Sequence, residues 1–224
     1  MHVGNRNLDF AYSMNGHWLE ECNYEKDLGV IVDRNLKSGR QVLEARNKAN
    51  RMLGFIARNV SYKSKEVVRK LYVAYVRPHL EYCVQAWAPH YRQDIDMLEA
   101  VQRRATRMIH GFNRLDYKDR LKELNMFSVR RRYVRGDMIQ VYKMFTGRDD
   151  IDINDFFEVL GEGRTRGHNK KLKVRYGRLD CRKFFFSYRV VDLWNKLSYD
   201  TVNSIKLDDF KTLLDRDMTR LNYW

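Results

Sequence analysis

The repeat of hydrophobic positions changes from a strand pattern to a helical one near Ser38. Upstream, Asn15-Gly16 stands between short apolar runs, which is a strong signal for a two-residue β-hairpin turn. The continuous apolar run at 28–32 predicts a short strand that is buried on both faces. From Ser38 onward, apolar residues recur at intervals of three and four, which predicts α-helices. We therefore predict a mainly α fold: a helical bundle with a short N-terminal β hairpin or strand and a small C-terminal α(+β) region.

Punctuating residues set the expected boundaries of the helices. The first helix begins near Ser38. The second begins after Ser64, and Pro78 should kink or break it because proline lacks the backbone N–H. A third helix spans roughly 94–112, and Ser128 is placed to cap the last helix of this block. The remaining predicted elements are a weak strand at 172–176 and helices at 182–196 and 205–220.

Positive charge is concentrated in the first helical block. The chain has 43 basic and 29 acidic residues, a net charge of +14, and residues 37–148 alone hold 25 basic and 10 acidic residues. Such an excess favours a polyanionic partner, either nucleic acid or an anionic membrane surface. The stretch at 149–160 has five acids and no basic residue. With the glycines around it, this stretch is the predicted linker.

These shifts in composition divide the chain into four predicted parts. The parts are a β segment at 1–36, a basic helical domain at 37–148, an acidic linker at 149–163 and a basic C-terminal helical region at 164–224.

Two helical faces and one looser patch are the candidate contacts with nucleic acid. Arginines at helical spacing can meet successive backbone phosphates. The ordinary alternative is a solvated basic face. The predicted contacts are Arg103, Arg104, Arg107, Arg132 and Arg135, with Lys170, Lys171 and Lys173 as the looser patch.

The residues usual in catalysis and metal binding are predicted to be structural. Asp149-Asp150 lies in an acidic loop, and Asp208-Asp209 opens an amphipathic helix, where acids favour the helix dipole. His79, Cys83 and His90 cluster in sequence, but no fourth ligand for a closed zinc site lies near them. We therefore predict no catalytic residue, no metal site and no cofactor in this chain.

Apolar runs and cysteines indicate the compartment. The longest apolar runs are far too short to span a bilayer, so no membrane partner is expected. Three widely spaced cysteines do not suit a disulfide framework and fit a reducing compartment. An intracellular location, nuclear or cytoplasmic, is expected.

A series of short motifs follows in order along nearly the whole chain. They are Glu-Lys-Asp-Leu-Gly-Val at 25–30 and the segments 48–58, 71–83, 98–107, 131–138, 166–168 and 210–211. Together, in this order and at these spacings, they resemble the C-terminal part of reverse transcriptases from LINE-type, non-LTR retrotransposons of the jockey and chicken-repeat groups.

The resemblance implies a role on a primer–template duplex. In that family the segment matching 25–30 belongs to the end of the palm sheet and the primer grip, which implies that Gly29 lies near the primer end. The helices after it would form the thumb, which holds the duplex by its backbone. The family's catalytic hairpin, an aromatic residue followed by Ala-Asp-Asp, does not occur in residues 1–24. We therefore expect a fragment that is inactive alone, with Mg²⁺ needed only by a full-length polymerase.

The leading hypothesis is a non-catalytic, nucleic-acid-binding fragment of an RNA-directed DNA polymerase. Its expected partners are an RNA/DNA duplex or primer–template and an upstream polypeptide that supplies palm and fingers. The alternative is a helical interaction module, or a decayed remnant, without affinity for nucleic acid. Salt-dependent binding to a duplex separates the two.

Overall fold

The computed structural model describes residues 1–4, 7–161 and 167–223. The described chain is mainly α-helical with small two-stranded sheets, as the hydrophobic pattern predicts. It forms two compact units, Met1–Arg120 and Leu121–Trp224. This division does not follow the predicted parts, because the helix expected to close the first block packs instead with the C-terminal helices.

The first unit has two β hairpins followed by helices. Its elements are β1 (Ser13–Met14), β2 (His17–Trp18), β3 (Tyr24–Asp27), β4 (Val30–Asp33), α1 (Gly39–Asn59), α2 (Lys65–Leu71), α3 (Arg77–Glu81), α4 (Val84–Trp87), α5 (Arg92–Arg107) and the start of α6 (Tyr117–Glu123). The core forms where α1 packs on α5, since both helices bury one apolar face. Its central side chains are Val42, Ala49, Leu53, Leu98, Val101 and Ala105.

Helix α5 is shorter than the predicted 94–112. It ends at Arg107, and Gly111 adopts a φ of +81°, which an α-helix cannot contain. A short 3₁₀ turn, Phe112–Arg114, follows. His110 and Arg114 therefore lie beyond the end of α5 and do not extend the face of that helix that carries Arg103 and Arg107.

The helix around Pro78 adapts to the proline instead of breaking there. A π-helical segment, Tyr72–Val76, connects α2 to α3, and the Arg77 N–H donates to the Tyr72 carbonyl. Pro78 then lies in the first turn of α3. A π turn is wider than an α turn, which relieves the clash between the proline ring and the carbonyl four residues earlier. The break comes later, at Cys83, with a φ of +48°.

The Asn15-Gly16 hairpin prediction is confirmed. β1 and β2 pair antiparallel, with Ser13 opposite Trp18, and both turn residues have positive φ. That geometry is the type I′ turn that this dipeptide favours.

The strand predicted at 28–32 is confirmed only for residues 30–32, and its predicted burial on both faces is wrong. Leu28 and Gly29 instead form the turn between β3 and β4, with φ values of +43° and +85°. β3 is exposed, and β4 is only half-buried against α1. The Ile31 N–H donates to Gln41 Oε1 at 2.9 Å, so the side chain of a buried α1 residue ties the hairpin to the helix.

The second unit builds its core around Trp194. Its elements are α7 (Val129–Phe145), β5 (Val159–Leu160), β6 (Lys171–Leu172), α8 (Asp180–Lys183), α9 (Phe186–Arg189), α10 (Val191–Trp194), α11 (Tyr199–Val202) and α12 (Leu207–Arg220). The Phe145 ring stacks on Trp194, and the Tyr142 ring stacks on Phe210. The single helix predicted at 182–196 is divided into three short ones, because Phe185 is extended and Phe186 turns inward against Phe157.

The acidic stretch packs against this core and is not a free linker. Asp149 accepts hydrogen bonds from Gln140 at 2.7 Å and Lys143 at 3.4 Å. Phe157 is only 4% exposed. Residues 162–163 of the predicted linker lie outside the described residues.

Candidate nucleic-acid interface

Three predicted contacts stand on the exposed side of α5. The opposite side of this helix is buried by Leu98 and Ala105, so the residues between them face outward. Arg103, Arg104 and Arg107 are all exposed. Arg103 and Arg107 are four residues apart and therefore share one face of the helix.

Arg104 lines a shallow cleft between α5 and α1. Its Nη2 donates to Asn50 Oδ1 at 2.7 Å, and Arg46 of α1 lines the same cleft. The cleft encloses about 250 Å³. Sequence reasoning missed Arg46, although the helical repeat of α1 places it one turn before Asn50.

A buried hydrogen-bond network supports the Arg103 side of α5. The Tyr72 hydroxyl donates to Gln102 Oε1 at 2.8 Å, and Gln102 Nε2 donates to the Tyr117 hydroxyl at 2.9 Å. That hydroxyl in turn donates to Glu99. Burial, followed by the nearby Glu99 carboxylate, raises the pKa of Tyr117, so the phenol stays protonated as a donor.

Two arginines pack on the Tyr117 ring. The Arg103 guanidinium carbon lies 5.1 Å from the ring centroid, and that of Arg120 lies 5.6 Å from it. Arg120 is only 3% exposed. Burial lowers the pKa of Arg120, and the positive charge of Arg107 adds to this effect. Sequence reasoning missed Arg120, yet its place three residues after Tyr117, on the same face of α6, was a readable signal.

Arg135, one of the two predicted contacts on α7, is committed to an internal ion pair. Arg135 Nε lies 2.6 Å from Asp215 Oδ1, and Nη2 lies 3.1 Å from Oδ2. We therefore no longer count Arg135 among the contacts. Arg132 is half-buried on the same helix, whose first turn Ser128 caps as predicted. Both arginines belong to the second unit, whereas Arg103, Arg104 and Arg107 belong to the first.

The looser patch of Lys170, Lys171 and Lys173 lies on a segment whose backbone is held by hydrogen bonds from other residues of the second unit. The Trp194 Nε1–H donates to the Lys170 carbonyl at 2.7 Å, and the Asn195 side chain exchanges two hydrogen bonds with the Leu172 backbone. Lys170 Nζ donates to the Val202 carbonyl, and burial lowers the pKa of Lys170. Lys173 pairs with Glu158 at 2.7 Å. Lys171 is half-buried. Contacts within the second unit therefore engage these lysines more than their sequence suggests.

Gly29, the predicted primer-grip residue, lies at the β3–β4 turn. The Tyr82 hydroxyl donates to the neighbouring Leu28 carbonyl at 2.9 Å. A Cβ at position 29 would stand 3.3 Å from Tyr82 Cε1. The turn thus has a structural reason to hold glycine.

One of the two acid pairs lies at the start of a helix. Asp208 and Asp209 lie in the first turn of α12, and Lys211 pairs with Asp208 at 2.9 Å. Among the described residues, His79, Cys83 and His90 do not converge into a group of three ligands. His2, Asp9 and Glu21 do converge, but Arg34 bonds to both carboxylates. Within the same part of the chain, no helix is long and apolar enough to cross a bilayer.

Comparisons of the chain with protein-family models, with curated proteins and with solved structures find no match.

Proposed function

We propose that the chain is a non-catalytic, nucleic-acid-binding fragment of a reverse transcriptase lineage, and that the first unit holds the backbone of an RNA/DNA duplex or primer–template. The observation that carries the proposal is the α5 surface. It exposes Arg103, Arg104 and Arg107 together and places Arg46 beside Arg104 in one cleft. Guanidinium groups at this spacing suit successive backbone phosphates.

Fluorescence anisotropy with a labelled RNA/DNA duplex over a series of salt concentrations tests the proposal. Displaced counterions should make the logarithm of the binding constant fall linearly with the logarithm of salt, by roughly 0.9 for each phosphate contacted. The double variant Arg103→Glu, Arg107→Glu should bind more weakly and with a flatter slope. A DNA duplex should behave similarly, because backbone contacts carry no sequence information.

A matched double variant separates a specific face from general charge. Arg51→Glu, Arg92→Glu makes the same change of charge at two exposed positions of α1 and α5 that lie apart from the Tyr117 ring. If both double variants lose affinity equally, the α5 surface is not the binding face. A larger loss on reversing Lys170, Lys171 and Lys173 would place the contacts in the second unit.

Primer extension tests the non-catalytic part of the proposal. We expect no incorporation of nucleotides on an RNA template with Mg²⁺ or Mn²⁺. The reason is that Asp149 accepts hydrogen bonds from Gln140 and Lys143 of α7, and Asp208 accepts one from Lys211 of its own helix. Incorporation that is lost in Asp149→Asn, Asp150→Asn would contradict this assignment.

A helical interaction module is the second candidate, and the β1–β2 hairpin favours it. Phe10, Tyr12 and Trp18 are 61%, 57% and 74% exposed. Exposed aromatic side chains in a group are typical of surfaces that bind other proteins. Retention of affinity for the duplex after removal of this hairpin would favour the nucleic-acid function.

A further inference from the structure

Arg120 is buried, and among the described residues no carboxylate lies within ion-pair distance of it. Its Nε likewise has no hydrogen-bond partner in the described part of the chain, and the side chain is 3% exposed. Arg131, which is also buried, donates to the Asp215 carbonyl and to the Thr219 hydroxyl. Arg189 makes a two-point ion pair with Asp137. A buried guanidinium that leaves a donor without an acceptor carries an energetic cost, which a bound anion would remove.

Two further positive charges gather beside Arg120. Arg103 packs on the same Tyr117 ring, and Arg107 lies one helical turn farther along α5. Both lower the pKa of Arg120 through the repulsion of like charges. Asp116 opposes them, but its Oδ1 already accepts the Asp119 N–H at 2.8 Å. Glu99, which accepts a hydrogen bond from the Tyr117 hydroxyl, is a second carboxylate beside the cluster. Three guanidinium groups therefore stand beside two carboxylates, which leaves an excess of positive charge.

We propose that Arg103, Arg107 and Arg120 form a binding site for a phosphate group, that is, inorganic phosphate or a phosphate monoester. Guanidinium groups are planar donors that match the oxygens of a tetrahedral anion. The Tyr117 ring holds two of the three guanidiniums in place before the anion binds. This site shares Arg103 and Arg107 with the proposed duplex surface but does not depend on duplex binding.

Isothermal titration of the full chain with inorganic phosphate tests the site directly. Chloride keeps the ionic strength constant, so only specific binding gives a signal. We expect Arg103→Gln, Arg107→Gln to weaken binding at least tenfold, and the matched control Arg51→Gln, Arg92→Gln to leave it unchanged. Absence of binding to the unaltered chain, or equal losses in the two double variants, would overturn the proposal.

A variant of the buried arginine gives a second readout. Arg120→Met removes the charge but keeps an extended side chain. Without phosphate, this variant should be at least as stable as the unaltered chain in thermal unfolding, because a buried unpaired charge is gone. Added phosphate should raise the melting temperature of the unaltered chain and not that of the variant. An equal rise in both would overturn the assignment of Arg120.

The source of the phosphate is distinguished with two duplexes of identical sequence, one with 5′-phosphate ends and one with 5′-hydroxyl ends. Tighter binding of the phosphorylated duplex, reversed by free phosphate, indicates that the site takes the end of a strand. Equal affinity for the two, with phosphate binding retained, indicates a free phosphate compound. A chain that binds phosphate but neither duplex keeps this site and contradicts only the proposed function.

Discussion

Arg135 and Asp215 join α7 to α12 through two parallel hydrogen bonds, from Nε to Oδ1 at 2.6 Å and from Nη2 to Oδ2 at 3.1 Å. The pair is partly buried, with side chains 19% and 29% exposed. Arg131 adds to the same junction, since its Nη2 donates to the Asp215 carbonyl at 3.2 Å. The arginines of α7 therefore hold the second unit together.

A double-mutant cycle on this pair should give a favourable coupling. We expect Arg135→Ala and Asp215→Ala each to lower the free energy of unfolding, with a coupling of about 1–2 kcal/mol, since the two-point geometry is good and the pair is only partly exposed. Urea denaturation measures it. Arg135→Ala should leave the affinity for a duplex nearly unchanged, and a loss as large as that of Arg103→Ala would return Arg135 to the binding face.

Glycine is required at position 29 and not at position 39. Gly29→Ala should destabilise the chain by about 1–2 kcal/mol, because an alanine strains the positive φ and crowds Tyr82. Gly39→Ala, at the first residue of α1 with open space around it, is the matched control and should be neutral or stabilising. Equal changes in the urea midpoint of the two variants would contradict the turn geometry.

Protonation of His168 should weaken the fold. Its Nε2–H donates to the Trp194 carbonyl at 2.9 Å, and Nδ1 accepts the Lys170 N–H at 3.2 Å, so the ring is held in its neutral form. Burial lowers the pKa of His168 below its ordinary value of 6.5. The unfolded chain therefore takes up the proton first as the pH falls. The stabilisation is complete above about pH 6.5 and is lost below it, by at most about 1.4 kcal/mol for each pH unit.

Urea midpoints of the unaltered chain and of His168→Gln between pH 7.5 and 5 measure this effect. The variant should be less stable at pH 7.5 and should show a smaller dependence on pH over this range. The same pH dependence in both proteins would mean that another group titrates.

The two N-terminal hairpins should differ in their importance to the fold. Removal of residues 1–21 takes away β1–β2 with its exposed aromatics, and the remaining protein should keep its helical circular dichroism and associate less in size-exclusion chromatography. Removal of residues 1–36 also takes away Ile31, the partner of buried Gln41. We expect it to cost a further 1–3 kcal/mol or so, the penalty of an unsatisfied buried polar group. Equal stability of the two truncated chains would show that β4 is not a layer of the first unit.

Periodicity predicts the helices well, because the apolar face of each one depends on residues three and four positions apart. The serine before the last helical run of the first block also predicts the Ser128 cap, because a cap acts within one turn. Periodicity fails where the deciding partner is distant in sequence. No residue close to Arg135 in sequence indicates that it pairs with Asp215. Likewise, no residue close to 28–32 indicates that β4 packs on α1 and pairs with only one strand. The division of 182–196 into three helices likewise depends on the contact of Phe186 with Phe157.

The π-helical segment Tyr72–Val76 should make this helix sensitive to the insertion or deletion of a residue but tolerant of substitutions. A π-helical turn amounts to one extra residue within an α-helix, so it rotates everything after it by about 100° relative to everything before it. Val68 and Leu80 are both buried on the two sides of that turn, and they face the core together only with the extra residue in place. Loss of a single residue here would turn one of them toward water, whereas exchange of one residue for another would leave the register intact. Insertions and deletions should therefore be rarer in this helix than in any exposed loop of the first unit.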